Sequence, residues 1–168
     1  MKLLKQCIRY GQQVFDAPAG PVSDPAVNPV LLALPEVVNH AVELWWYSVP
    51  LRVSSLSELS ALQTGYQGPG WDPTWMVFAS AGGDPIFLDS GDGSVGTAVH
   101  GVGSWTKIPL APGMAEWVEA MSAWMDLSFG SYGGRPMSDG ELADGFETQL
   151  LKVLTPIVGP LARNWMPD

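Results

Sequence analysis

Between Trp71 and Ile108 the chain repeats one local pattern. Trp75–Ala79, Pro85–Leu88, Val95–Val99 and Trp105–Ile108 are short β-prone runs, and Gly82-Gly83, Ser90-Gly91-Asp92-Gly93 and Gly101-Val102-Gly103 separate them. Runs this short are too brief for stable helices. The intervening glycines open the positive-φ region that tight reversals need. Successive runs must therefore fold back on one another, and the pattern predicts an antiparallel meander.

The flanks read differently. Leu3, Leu4, Cys7, Ile8, Gly11, Val14 and Phe15 form one apolar stripe, which predicts an amphipathic helix over 2–15. Asp16 to Pro29 carries Pro18, Pro21, Pro25 and Pro29 and reads as a loop whose Val22, Val27 and Val30 can still pack. Pro35-Glu36 predicts a helix start, running to Tyr47 and stopped by Pro50. That helix would hold Trp45 and Trp46. Leu51–Val53 reads as a strand, and Ser57-Glu58-Leu59 opens a brief helix through Leu62 that Gly65 ends.

Met114, Trp117, Val118, Met121, Trp124 and Met125 return to helical spacing over 114–126, and a glycine-rich joint follows at 130–134. Glu141–Leu154 predicts another helix, and Thr155-Pro156 begins a short terminal one ending near Trp165. The expectation is a single α+β domain spanning 1–168. Its central curved antiparallel sheet, about four to six strands over residues 51–108, is flanked by N- and C-terminal helices.

Composition narrows the function classes. Of 168 residues 46% are hydrophobic and 15% charged, which excludes a disordered acidic tail. Eight Lys+Arg stand against 17 Asp+Glu, a net of −9, which opposes nucleic-acid binding by counterion release. The imbalance is central: across 53–134 only Lys107 faces Glu58, Asp72, Asp84, Asp89, Asp92, Glu116, Glu119 and Asp126. Such a block reads either as ordinary solvation of turns and exposed faces or as an acidic face for a basic protein partner. A single cysteine, Cys7, excludes a disulfide framework and a cysteine-based zinc site. No apolar run reaches about 18 residues, so no membrane span is expected. Lys5, Gln6 and Arg9 interrupt any signal-peptide core, which makes the cytoplasm the expected compartment.

Several patterns look chemical and read better as structure. Gly91-Asp92-Gly93-Ser94-Val95-Gly96 matches a dinucleotide fingerprint, but β-prone residues follow where a helix must begin. Asp89, Asp92 and Ser94 lack calcium-loop spacing, and Asp92-Gly93 is ordinary hairpin chemistry. No metal or cofactor is expected. His40 and His100 are the only histidines, and no Gly-x-Ser-x-Gly elbow supplies a nucleophile. Cys7 lies on an apolar stripe and reads as an inert buried thiol. Glu116 and Glu119 sit at a helix beginning, where the dipole favours acids. No catalytic constellation emerges. Among the eight tryptophans, Trp71 stands out in a Gly-Pro-Gly-Trp-Asp-Pro loop, either as a partner anchor or as a loop-packing ring.

The stretch Trp75-Met-Val-Phe-Ala-Ser-Ala-Gly-Gly-Asp-Pro-Ile-Phe-Leu-Asp89 resembles the core of the SUKH superfamily, which contains bacterial immunity proteins and the fungal cell-wall-assembly regulator domain. Gly82, Gly83, Asp84 and Pro85 form the matching turn, and Asp89 closes the second strand. Leu34-Pro35, Leu56–Leu59, Val99-His100 with Trp105, and the helix bearing Trp117 extend the likeness over about 34–126. Where that family has an aromatic-rich helix ending in Asn-Gly, this chain has Trp45-Trp46-Tyr47-Ser48-Val49-Pro50.

The resemblance implies a non-catalytic protein-binding domain, most often an immunity protein that neutralises a toxin by occupying its surface. The expected partner is a protein, for instance a basic nuclease toxin. Candidate contact residues are Trp71, Asp72, Asp84, Asp89, Asp92, Glu116 and Glu119, with Gly82, Gly83, Asp84 and Pro85 as a structural turn. Two other readings stand beside it. One is a housekeeping interaction module of the same fold. The other is a small hydrolase in which His100 meets Asp84, Asp89 or Asp92.

Overall fold

A computed structural model describes residues 2–16 and 40–167. Its centre is a seven-stranded sheet whose strands follow chain order: β1 (Gln13–Asp16), β2 (His40–Trp46), β3 (Val49–Val53), β4 (Trp75–Ala81), β5 (Asp84–Asp89), β6 (Val95–Thr97) and β7 (Ile108–Ala111). Every neighbouring pair is antiparallel. The meander is therefore larger than the four to six strands expected.

The two added strands come from segments expected to be helical. The first helix, α1, spans only Lys2–Arg9. Gly11 adopts φ +65°, and the Gln12 N–H bonds the Cys7 carbonyl at 2.8 Å, a left-handed helix ending. That frees Gln13–Asp16 to pair with β2. The expected helix from Pro35 to Tyr47 is a strand from His40 onward, and 35–39, like the proline-rich loop over 17–34, lies outside the described residues. Val42 and Leu44 are buried, while Glu43 between them and Trp45 beyond are less so, a period of two. Tyr47 at φ +57° then turns β2 directly into β3. Cross-strand bonds on both sides of β2 override the local helix signals.

Among the described residues four α-helices accompany the sheet: α1, α2 (Leu56–Gln63), α3 (Met114–Met125) and α4 (Phe146–Val158). In α2 the Glu58 carboxylate reaches back to accept from the Ser55 N–H at 2.9 Å, so the helix begins one residue before Ser57. Helix α3 has the predicted spacing, and a π-helical turn (Asp126–Ser131) follows it. The expected helix from Glu141 starts only at Phe146, because Glu141–Leu142 pairs with Met137–Ser138 in a small hairpin. Thr155-Pro156 lies inside α4, and the terminal turn is a 3₁₀ helix (Gly159–Trp165).

A bulge in β4 divides the core. Trp75 and Val77 face one side of the sheet, and after the register shift between Val77 and Ala79 the residues Phe78, Ala79 and Ala81 join the other. On that second side α1, α3 and α4 cover Leu44, Leu51, Ile86, Leu88 and Leu110, with Trp117, Trp124 and Trp165 fully buried among them. On the first side a smaller cluster of Trp75, Val77, Phe87 and Ala98 lies beneath Leu62, Tyr66, Trp71 and Trp105. Trp105, expected in a strand run over 105–108, is a loop residue, and β7 begins only at Ile108. The β7 edge is closed by the 3₁₀ helix: Asn164 Nδ2 donates to the Pro109 carbonyl at 2.7 Å and Trp165 Nε1 to that of Leu110 at 2.9 Å. Among the described residues no helix is long and apolar enough to cross a membrane.

Candidate binding cleft

The Gly82-Gly83 turn joins β4 to β5, and its geometry explains both glycines. Their φ values are +58° and +103°. A Cβ on Gly82 would stand 3.1 Å from the Val49 side chain, and one on Gly83 would stand 3.3 Å from His100 Cε1. The next residue, Asp84, ties this turn to the β6–β7 loop. Its Oδ1 accepts from the His100 N–H at 2.7 Å and lies 2.7 Å from His100 Nδ1. The Pro85 carbonyl accepts from Thr97 Oγ1 at 2.8 Å.

Gly82, Asp84, Thr97 and His100 form one wall of a cleft of about 500 Å³ at the end of the sheet. The β2–β3 turn supplies Trp46, Tyr47, Ser48 and Val49, and the chain's last turn supplies Arg163, Asn164, Met166 and Pro167. Tyr47 is held by donating its hydroxyl to the Trp165 carbonyl at 2.6 Å, and burial raises its pKa well above the ordinary phenol range. The volume is in the range of small-ligand and side-chain pockets. Sequence reading missed Trp46, Tyr47, Arg163 and Asn164 as cleft residues. The two pairs lie far apart in the chain, and no local motif marks them.

The other predicted residues gather elsewhere. Asp89 is 9% exposed and turned inward, where it accepts from Lys107 Nζ at 2.6 Å, Thr74 Oγ1 at 3.0 Å, the Gly91 N–H at 2.8 Å and Trp75 Nε1 at 3.2 Å. Asp92 accepts from the same Lys107 at 2.9 Å and from the Ser94 N–H and hydroxyl. Burial alone would raise the Asp89 pKa, but Lys107, Gly91 and Thr74 outweigh it and hold the carboxyl below its usual range. Lys107 and Ser94 bring Asp92 down to about 2. Burial works against the Lys107 charge, yet its two carboxylates raise the ammonium pKa. This is a clamp between the β5–β6 turn and the β6–β7 loop.

Trp71 belongs to the aromatic cluster over the same face. It stacks on Tyr66 and meets Trp75, Phe87 and Trp105 edge-on, with centroids 5.2–5.9 Å apart. Asp72 holds its own turn by accepting from the Thr74 N–H and hydroxyl. Glu119 lies 3.8 Å from Lys2. Glu116 stands in the first turn of α3, and a Cβ on Gly113 would come within 2.9 Å of its Oε2. The structure thus joins Asp84 to His100 and Asp89 to Asp92, and places Glu116 and Glu119 on a separate helix.

Much of the acidic central block meets cations brought by the fold. Glu58 pairs with Arg52 at 2.7 Å, Asp126 with Arg9 at 3.4 Å, Glu119 with Lys2, and Asp89 and Asp92 with Lys107. Cys7 is fully buried, and desolvation pushes its thiol up to about 11. Among the described residues no three His, Cys, Asp or Glu side chains group as a metal site.

No family model, curated protein or solved structure matches the chain.

Proposed function

We propose that the chain is a non-catalytic protein-binding domain of the kind the SUKH resemblance implies, a cytoplasmic immunity protein that neutralises a bacterial toxin by covering its surface. One observation carries the reading. Part of the stretch that bears the likeness, Gly82, Asp84 and His100, lines one open cleft, and Gly83 packs against His100 beside it. A turn whose only task was to reverse the chain would not need to anchor a distant loop beside a cavity.

The net charge of −9 supports a basic partner, because it steers such a molecule toward the chain at long range. The test is co-expression with the toxin encoded beside the gene. Growth rescue together with a purified complex is the expected result, and no rescue with no complex overturns the reading. A complex formed with a cellular protein and unrelated to rescue would instead favour the housekeeping module.

A small hydrolase is the second reading, and the Asp84–His100 pair favours it. A carboxylate at Nδ1 leaves Nε2 as the outward nitrogen, the arrangement of an oriented general base. Hydrolysis of an ester or phosphoester panel that disappears in His100→Ala would support this reading, and a panel with no turnover removes it.

A further inference from the structure

We propose that the β1 edge of the sheet joins two copies of this chain, with the two β1 strands antiparallel about a twofold axis at Val14. The inference concerns assembly and stands apart from the toxin-binding reading. The two edges of the sheet are unlike. The β7 edge is closed by the 3₁₀ helix through Asn164 and Trp165. Among the described residues β1 pairs only with β2, so the outer row of its backbone groups faces no strand there. Natural edges are blunted by proline, lysine, a bulge or a cover. Gln13–Asp16 contains neither proline nor lysine, and its register with β2 runs without a bulge.

Apolar side chains gather at this edge on both faces. Four large hydrophobic residues are exposed among the described ones, Ile8, Phe15, Trp45 and Val102, and the first three lie here. Phe15 pairs with Ala41, and Trp45 follows Ala41 at even spacing, so both point away from the helical side that takes Val42 and Leu44. Ile8 lies on the helical side. Lys2, Gln6 and Arg9 reach Glu119 and Asp126, and at about 100° per residue Ile8 falls on the flank of α1 turned away from α3. That flank is at the open end of the sheet, because α1 packs beside β1 and β2. A partner that fits must therefore continue the sheet and cover apolar surface above and below it.

A second copy brings both. Residues opposite one another in an antiparallel pair share a face, so a strand paired with its own copy matches odd positions with odd and even with even. The register that uses all of β1 sets Val14 against Val14, Phe15 against Gln13 and Asp16 against Gln12 of the second copy. Val14 and Ile8 of both copies then gather on the helical side, and both Phe15 rings flank the joint on the other. The charges agree with this register. Asp16 Oδ1 lies 3.1 Å from His40 Nδ1, yet its side chain is 93% exposed. It comes toward the end of the second copy's α1 that bears Arg9, and that helix carries Lys2, Lys5 and Arg9 with no acid. Such a contact is isologous and closes at two copies.

Sedimentation velocity of the full chain over a concentration series tests the assembly. The weight-average mass should rise from that of one chain toward that of two. Phe15→Lys and, separately, Ile8→Lys should each raise the dimer dissociation constant about tenfold or more, with far-ultraviolet circular dichroism unchanged. Oxidative cross-linking reads the register. Val14→Cys should yield a disulfide-linked dimer, because directly opposed Cα atoms lie within disulfide reach, and Phe15→Cys should not. Cys7 is fully buried and adds no background. A single-chain mass at every concentration overturns the inference, as does a dimer that either lysine variant leaves intact. Equal cross-linking of the two cysteine variants overturns the register centred on Val14.

Discussion

The two faces of the sheet bury tryptophan under different covers. Beneath α3, Trp117 and Trp124 are fully buried, yet their indole N–H groups have no acceptor among the described residues. Beneath the loops, Trp105 Nε1 donates to the Gln67 carbonyl at 3.0 Å and Trp75 Nε1 to Asp89 at 3.2 Å. A helix consumes its own carbonyls in its i to i+4 bonds and offers none sideways, whereas a loop leaves carbonyls free for an indole. The packing directly under α3 is therefore held by apolar volume, and the loop face by aromatic contacts combined with directed polar bonds. That difference gives the faces different sensitivities.

Trp117→Ala should produce the largest loss, about 3–5 kcal/mol by urea denaturation, because it opens a ring-sized cavity under α3. Trp117→Phe should cost much less, since it keeps a ring and removes an unsatisfied donor. Asp89→Asn should cost about 2 kcal/mol by weakening the bonds from Lys107 and Trp75. Its loss should appear first in the near-ultraviolet circular dichroism of the loop-face tryptophans. Trp71→Ala, removing a half-buried ring from the loop cover, should cost about 1–2 kcal/mol. Equal losses for Trp71→Ala and Trp117→Ala would erase the distinction between the faces.

Acid should separate the faces further. Asp89 and Asp92 are held below the usual carboxyl range when folded, Asp92 at about 2. The folded state thus releases these protons more readily than the unfolded chain. Their stabilisation is complete above about pH 4 and is lost as pH falls toward 2. Loop-face signals should change in that window ahead of the helical signal at 222 nm, and Lys107→Gln should weaken this acid step. The smallest effect belongs to Arg52→Ala, about 0.5 kcal/mol, because the Arg52–Glu58 pair at 2.7 Å is partly exposed and screened by solvent.

The parts legible in the sequence are those whose signal is local. The spacing of Met114, Trp117, Met121 and Trp124 marked α3, and the glycine pairs marked the β4–β5 reversal. The region around Val42–Trp46 was misread because a short apolar run flanked by prolines satisfies helix and strand patterns alike. Hydrogen bonds to β1 and β3 decide it, and no local residue reports them. Asp89 looked like a surface acid for the same reason: its burial depends on Lys107, 18 residues further on.

By itself the chain determined that glycine-punctuated β runs must fold as a meander and that its charge is negative and central, because turns and composition are properties of neighbouring residues. Only the tertiary structure decided which acids are spent on Lys107, Arg52, Arg9 and Lys2. It also brought Arg163 across to Asp84, His100 and Trp46 around one cleft. The physical reason is that pairing and burial act through space between segments far apart in the chain, and closing those contacts depends on the whole sheet being in register.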